Sequence, residues 1–155
     1  MRHSYLVAAS SAVLLSACVS LARYDNNTYK SMTALKGEVK VFMDDCAAKG
    51  ASGEKALSAL EGFRVKLSQS YEYEAGKGSN NETTSQMKKL NSFFNEAYAR
   101  YSKNKLSGAA CAERADGELP DHATGCLTVG YCTAKSKIME EAFDIAISTE
   151  ELKNK

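Results

Sequence analysis

Met32, Leu35, Val39, Phe42 and Cys46 recur along the chain in alternating steps of three and four. That spacing lays an apolar stripe along one face of a helix. It predicts a first helix from about Thr28 to Lys49, stopped by Gly50 and Gly53. Ser52 is placed to cap a second helix, whose stripe is Leu57, Leu60, Phe63 (or Arg64), Leu67 and Tyr71. Gly76 to Asn81 is a turn cluster. Thr83 and Gln86 have capping-box spacing, and Met87, Leu90, Phe94, Ala97 and Tyr101 follow as a third stripe. From Ala109 to Cys132 the periodicity weakens around Pro120, three glycines and three cysteines, which reads as a long connection. A last helix is expected from about Thr133, with Ile138, Ala142 and Ile145 inward and Glu150 to Lys155 frayed.

Four amphipathic helices bury their stripes only against one another. The pattern therefore predicts an all-α fold, a four-helix bundle that is mainly antiparallel, with an irregular disulfide-stapled connection before the last helix. No internal repeat or second domain stands out in the sequence.

The first residues follow another logic. Met1-Arg2-His3 is a short basic start, and Tyr5 to Leu15 is an apolar run too short to span a bilayer. It ends in Leu15-Ser16-Ala17-Cys18, which resembles the lipobox of bacterial lipoprotein precursors. The resemblance covers this leader only. It implies cleavage before Cys18, a diacylated thiol there and acylation (commonly palmitate) of the new amino terminus. The expected organisation is a signal peptide over 1–17, a lipidated tether over 18–27 and a bundle over 28–155. Val19 stands where an Asp would imply inner-membrane retention, so the resemblance points to the outer membrane, facing the periplasm. An ordinary signal peptide cut after Ser20-Leu21-Ala22 would instead release a soluble product.

With Cys18 set apart, Cys46, Cys111, Cys126 and Cys132 remain, an even set that suggests two disulfides in an oxidising compartment. An up-and-down bundle carries all four to the end far from the tether. Three pairings are possible. Sequence selects none of them; the preferred pairing joins the first and last helices through Cys46–Cys132, with Cys111–Cys126 closing the connection. A zinc site is the weaker reading, because no Cys-x-x-Cys pair is present.

Chemistry is sparse in the rest of the chain. The 20 basic and 19 acidic residues of the full sequence leave no excess charge to attract nucleic acid. No nucleophile elbow, phosphate loop, zinc-protease or calcium motif occurs. His122 lies near Cys126 and Asp121, but a turn explains that trio better than thiol catalysis. Asp44-Asp45 and Glu140-Glu141 point about 100° apart on a helix and read as solvated surface. Tyr71 and Tyr101 fit the stripes, whereas Tyr73 and Tyr98 do not and are the better candidates for a binding surface. No cofactor, metal or catalytic residue is expected. The expectation is a non-enzymatic lipoprotein, attached to the membrane by its anchor, that binds an envelope protein in a piloting, immunity or exclusion role. An enzyme or small-ligand carrier, with a pocket between helices or near the cysteine-rich cap, is the alternative.

Overall fold

Four helices account for nearly all of the described chain, residues 22–103 and 125–155 of a computed structural model. They are α1 (Asn26–Lys49), α2 (Gly53–Ala75), α3 (Asn81–Lys103) and α4 (Val129–Leu152). Two short strands, β1 (Ala51–Ser52) and β2 (Cys126–Leu127), pair antiparallel beside the α1–α2 turn. The expected helical bundle is thus present.

Each stripe does the work its spacing implies. Met32, Leu35, Val39, Met43 and Cys46 of α1 meet Leu60, Phe63 and Leu67 of α2 in one core. Met87, Leu90, Phe94, Ala97 and Tyr101 of α3 complete it with Met139, Phe143 and Ala146 of α4. Asp25 caps α1 by accepting from the Asn27 amide at 2.8 Å, and Thr128 caps α4 by accepting from Tyr131 at 3.2 Å. The tight α1–α2 turn needs left-handed backbone, which Gly50 (φ 74°) and Gly53 (φ 76°) adopt without a Cβ clash.

Four expectations are corrected. The last helix begins at Val129, and Met139 and Phe143 point inward while Ile138 and Ile145 are about half exposed. Ala142 is only partly buried. The inward face is shifted because α4 must bury Cys132, and Met139, Phe143 and Ala146 share that face. On α1, Met43 is the buried member and Phe42 packs at the core's edge. The carboxyl end is not frayed, since Glu150 is wholly buried.

A repeat also emerges that the bare sequence hides. Asp25, Thr28, Met32, Leu35 and Val39 of the first half reappear at a constant step as Asn80, Thr83, Met87, Leu90 and Phe94. Ser52, Ala56, Phe63, Leu67, Glu74 and Lys77 correspond likewise to Thr128, Cys132, Met139, Phe143, Glu150 and Lys153. The packing follows suit: α1 lies mainly on α4, and α2 on α3. Ala51 pairs with Leu127, its own counterpart, so an approximate two-fold axis passes between them along the bundle. The molecule is two helical hairpins facing each other.

The top, where β1 and β2 lie, is closed covalently. Cys46 and Cys132 form a disulfide with Cα atoms 5.6 Å apart, linking α1 to α4 as expected. Its counterpart across the axis joins α3 to α2 without a covalent bond: Tyr101 Oη donates to the Gly53 carbonyl at 2.7 Å. Gly125 passes so close to Tyr101 that a Cβ there would sit 2.1 Å from the Tyr101 carbonyl oxygen. Cys126 is disulfide-bonded as well, and Cys111, its expected partner, lies outside the described residues.

Candidate functional site

The opposite end, where the chain enters at Ala22 to Asp25, is held by charge. Glu74 and Glu150 are buried near the carboxyl ends of α2 and α4. Stranding such carboxylates would cost several kcal/mol each, so every lone pair needs a donor. Glu150 Oε1 accepts from the Asp25 backbone amide at 2.7 Å, and Oε2 from Thr83 Oγ1 at 3.2 Å and Lys153 Nζ at 2.5 Å. Glu74 is served in the corresponding way. Oε1 accepts from Thr28 Oγ1 and from Lys77 Nζ at 2.7 Å, and Oε2 accepts from Asn80 Nδ2. Lys153 also donates to Asn80 Oδ1 at 2.5 Å, and Lys77 pairs with Asp25 Oδ2 at 2.8 Å. Each carboxylate therefore has a threonine, a lysine three residues on and a group from the other hairpin.

Electrostatics follow from these partners. Hydrogen bonds from Lys77 and then Tyr73 hold the Asp25 carboxyl well below its ordinary pKa. Burial alone would lower the Lys77 pKa, but its bonds to Asp25 and Glu74 more than offset this and raise it. The Tyr73 hydroxyl donates to Asp25 Oδ2 at 2.6 Å, which raises its pKa by favouring the protonated form.

Beside this base the two hairpins diverge. α3 and α4 leave an opening of about 470 Å³ only toward the top, between residues 96–103 of α3 and Tyr131 and Lys135 of α4, whereas α1 and α2 meet least of the neighbouring pairs and leave a groove of about 390 Å³ next to the base. Its α1 wall includes Ser31, Ala34 and Glu38, and its α2 wall Lys66, Gln69, Ser70 and Tyr73. Met32 and Leu35 form the floor. A Lys66–Glu38 ion pair at 2.5 Å spans one end, and Tyr73 on Asp25 stands at the other. The sister seam explains the difference. Lys66, Ser70 and Glu38 correspond there to Ala142, Ala146 and Phe93. Two alanines let helices approach, and the partly buried Phe93 packs against the core and edge-on to Phe94.

The residues singled out from sequence separate accordingly. Tyr73 is half exposed at the groove mouth with Lys77 Nζ 4.2 Å from its ring centroid. Tyr98 is not beside it. It lies on the α2–α3 face, donating to Glu61 Oε1 at 3.2 Å under the Arg64 guanidinium. Asp44, Asp45, Glu140 and Glu141 are exposed helix surface. Cys18 and His122 lie outside the described residues. Glu74, Glu150, Lys77 and Lys153 escaped sequence reasoning. The repeated Glu-x-x-Lys at the end of alternate helices was the available signal. Among the described residues there is no cluster able to hold a metal and no helix long and apolar enough to cross a membrane.

Comparison of this chain with protein families, with curated proteins and with solved structures finds no match.

Proposed function

We propose that the chain is a lipid-anchored envelope lipoprotein, held at the outer membrane on the periplasmic side, that binds another protein without catalysing a reaction. The observation that carries the binding part of this reading is the open α1–α2 seam. Ser31 and Gln69 line it and make no side-chain hydrogen bond among the described residues, although buried Glu74 beneath is fully served. A hydrogen-bonding surface left unused beside a satisfied core suits recognition. The charged groups at the groove, Glu38, Lys66 and Asp25, are already paired, which is a poor arrangement for acid–base work. A piloting, immunity or exclusion role fits this description.

The anchor rests on the Leu15-Ser16-Ala17-Cys18 likeness. Two or three acyl chains at Cys18 would hold the domain firmly. From Cys18 to Asp25 the chain spans at most roughly 25 Å when extended, which keeps the charged base near the bilayer. Replacing Cys18→Ser and fractionating cells tests this: the protein is expected to leave the membrane pellet, and a variant that still pellets overturns the anchor. Crosslinking and pull-down of the tagged, lipidated protein tests the binding role. One reproducible protein partner is the expected result. A small-ligand carrier is the second reading, favoured by a groove volume within the usual range for ligand sites. Retention of a small molecule with no protein captured would install it instead.

A further inference from the structure

We propose that the exposed face of α4 is a second contact surface. It takes an amphipathic helix of a protein partner, apolar along one side and acidic where it crosses the top of the bundle. The surface uses none of the α1–α2 groove residues, and shares with the reading above only that the chain binds protein.

α4 is apolar on two sides. Cys132, Met139, Phe143 and Ala146 fill the core. Ile138, Ala142, Ile145 and Leu152 form another stripe, in steps of four, three and seven. Towards the top it continues through Lys135 and Tyr131, at steps of three and four. Ile138, Ile145 and Leu152 are 51%, 53% and 63% exposed, so the bundle leaves them uncovered. The frame does not demand this stripe. On α2 the corresponding residues are Gly62, Lys66, Gln69 and Gly76, none of them a large apolar group. Apolar side chains seven residues apart along one side of a helix form a seam against which a second helix packs.

Charge selects the helix. The upper end of the stripe runs into the opening between α3 and α4, which Arg100, Lys103 and Lys135 line with Glu96 as the one acid. The Arg100 guanidinium lies 4.9 Å from the Tyr131 ring centroid, and Lys135 Nζ 5.6 Å from that of Phe93. None of the three cations has an ion pair among the described residues. Asp45 and Ala48 are the counterparts of Arg100 and Lys103, so this charge too belongs to one hairpin only. An acidic segment finds unpaired opposite charge here. A second copy fits badly. Stripe against parallel stripe sets Lys135 beside Lys135, and an antiparallel pair sends the two anchored tethers to opposite ends. An anionic bilayer also fits badly, because exposed Glu141 flanks the stripe, three residues after Ile138 and four before Ile145.

The test places a photo-crosslinking residue at Ala134, three residues after Tyr131 and four before Ile138, in the full-length chain in cells. A separate chain carries it at Ser58, the counterpart on α2. Ala134 is expected to give about tenfold more adduct than Ser58. The adduct maps by mass spectrometry to a helical segment of one protein, with Asp or Glu at the end nearer the crosslink. Ile138→Gln with Ile145→Gln, and separately Arg100→Asp with Lys103→Ala, each cut the yield about tenfold at unchanged thermal unfolding. If the isoleucine variant fails to fold, the charge variant alone decides. An adduct on a phospholipid, on a second copy or on a segment without acidic residues overturns the proposal. So does a yield that either folded variant leaves unchanged, or equal yields from Ala134 and Ser58. No adduct from Ala134 overturns it as well. The binding reading then stands if the pull-down captures a partner, and falls with it if the pull-down is empty.

Discussion

Over Met32 and Leu35 the first hairpin leaves a groove, whereas at the corresponding place the second supplies Phe93, Ala142 and Ala146. The two share their buried frame: threonine near the start of one helix, methionine and leucine a turn or two on, and glutamate with lysine at the end of the next. They differ at the seam, at the way the top is fastened and, at the base, in Asp25 against Asn80. The frame tolerates either solution because α1–α4 and α2–α3 packing carries the core. A seam freed from holding the bundle together is available for recognition.

The largest expected effects lie where the halves should behave alike. Glu150→Ala strands Lys153, which is only 8% exposed, and should cost about 3–5 kcal/mol in urea denaturation. Glu74→Ala should cost less, because Lys77 is 22% exposed and already pairs with Asp25. The reverse order would break the correspondence. Next come the two top fastenings. Cys46→Ala with Cys132→Ala should lower stability by about 2–4 kcal/mol, whereas Tyr101→Phe, its counterpart, should cost about 1 kcal/mol.

A smaller effect tests the asymmetry of Asp25 against Asn80. The folded pKa of Asp25 lies below its unfolded value, so its stabilisation is full above about pH 3.9 and is lost as pH falls below that. Asp25→Asn, which makes the two halves alike, should therefore flatten acid unfolding below that pH. An unchanged acid limb would remove Asp25 from the account. The smallest change is expected from Lys66→Ala with Ser70→Ala. It removes one exposed ion pair and should shift stability by no more than about 1 kcal/mol in thermal unfolding. A collapse there would show that the seam is structural.

Much of the fold was legible because periodicity is a local property. The stripe of α3 and all but one position of the α1 stripe follow from spacing, and the Gly76–Asn81 turn from its composition. The phase of α4 did not, since Ile138 and Ile145 are as apolar as Met139 and Phe143, and only contact with α1 and α3 selects between them. Glu150 near a chain end resembles solvated surface until Thr83 and Asp25, distant in sequence, arrive to serve it. The repeat was hidden because chemistry is kept at few positions. Val39 becomes Phe94, and Ala56 becomes Cys132. Of the site, only Tyr73 was anticipated. The groove depends on how far two helices stand apart, which no single stretch of sequence records.

The fastening of α1 at both ends has a mechanical consequence. A pull on the incoming chain arrives at Asp25, whose amide and carboxylate are tied to Glu150 and Lys77. Beyond that clasp the load runs along α1 to a covalent link with α4. The helix cannot peel away from its neighbour turn by turn to the far end. Tension would first shear the ionic base, and extension would then stop at the disulfide with the core still joined.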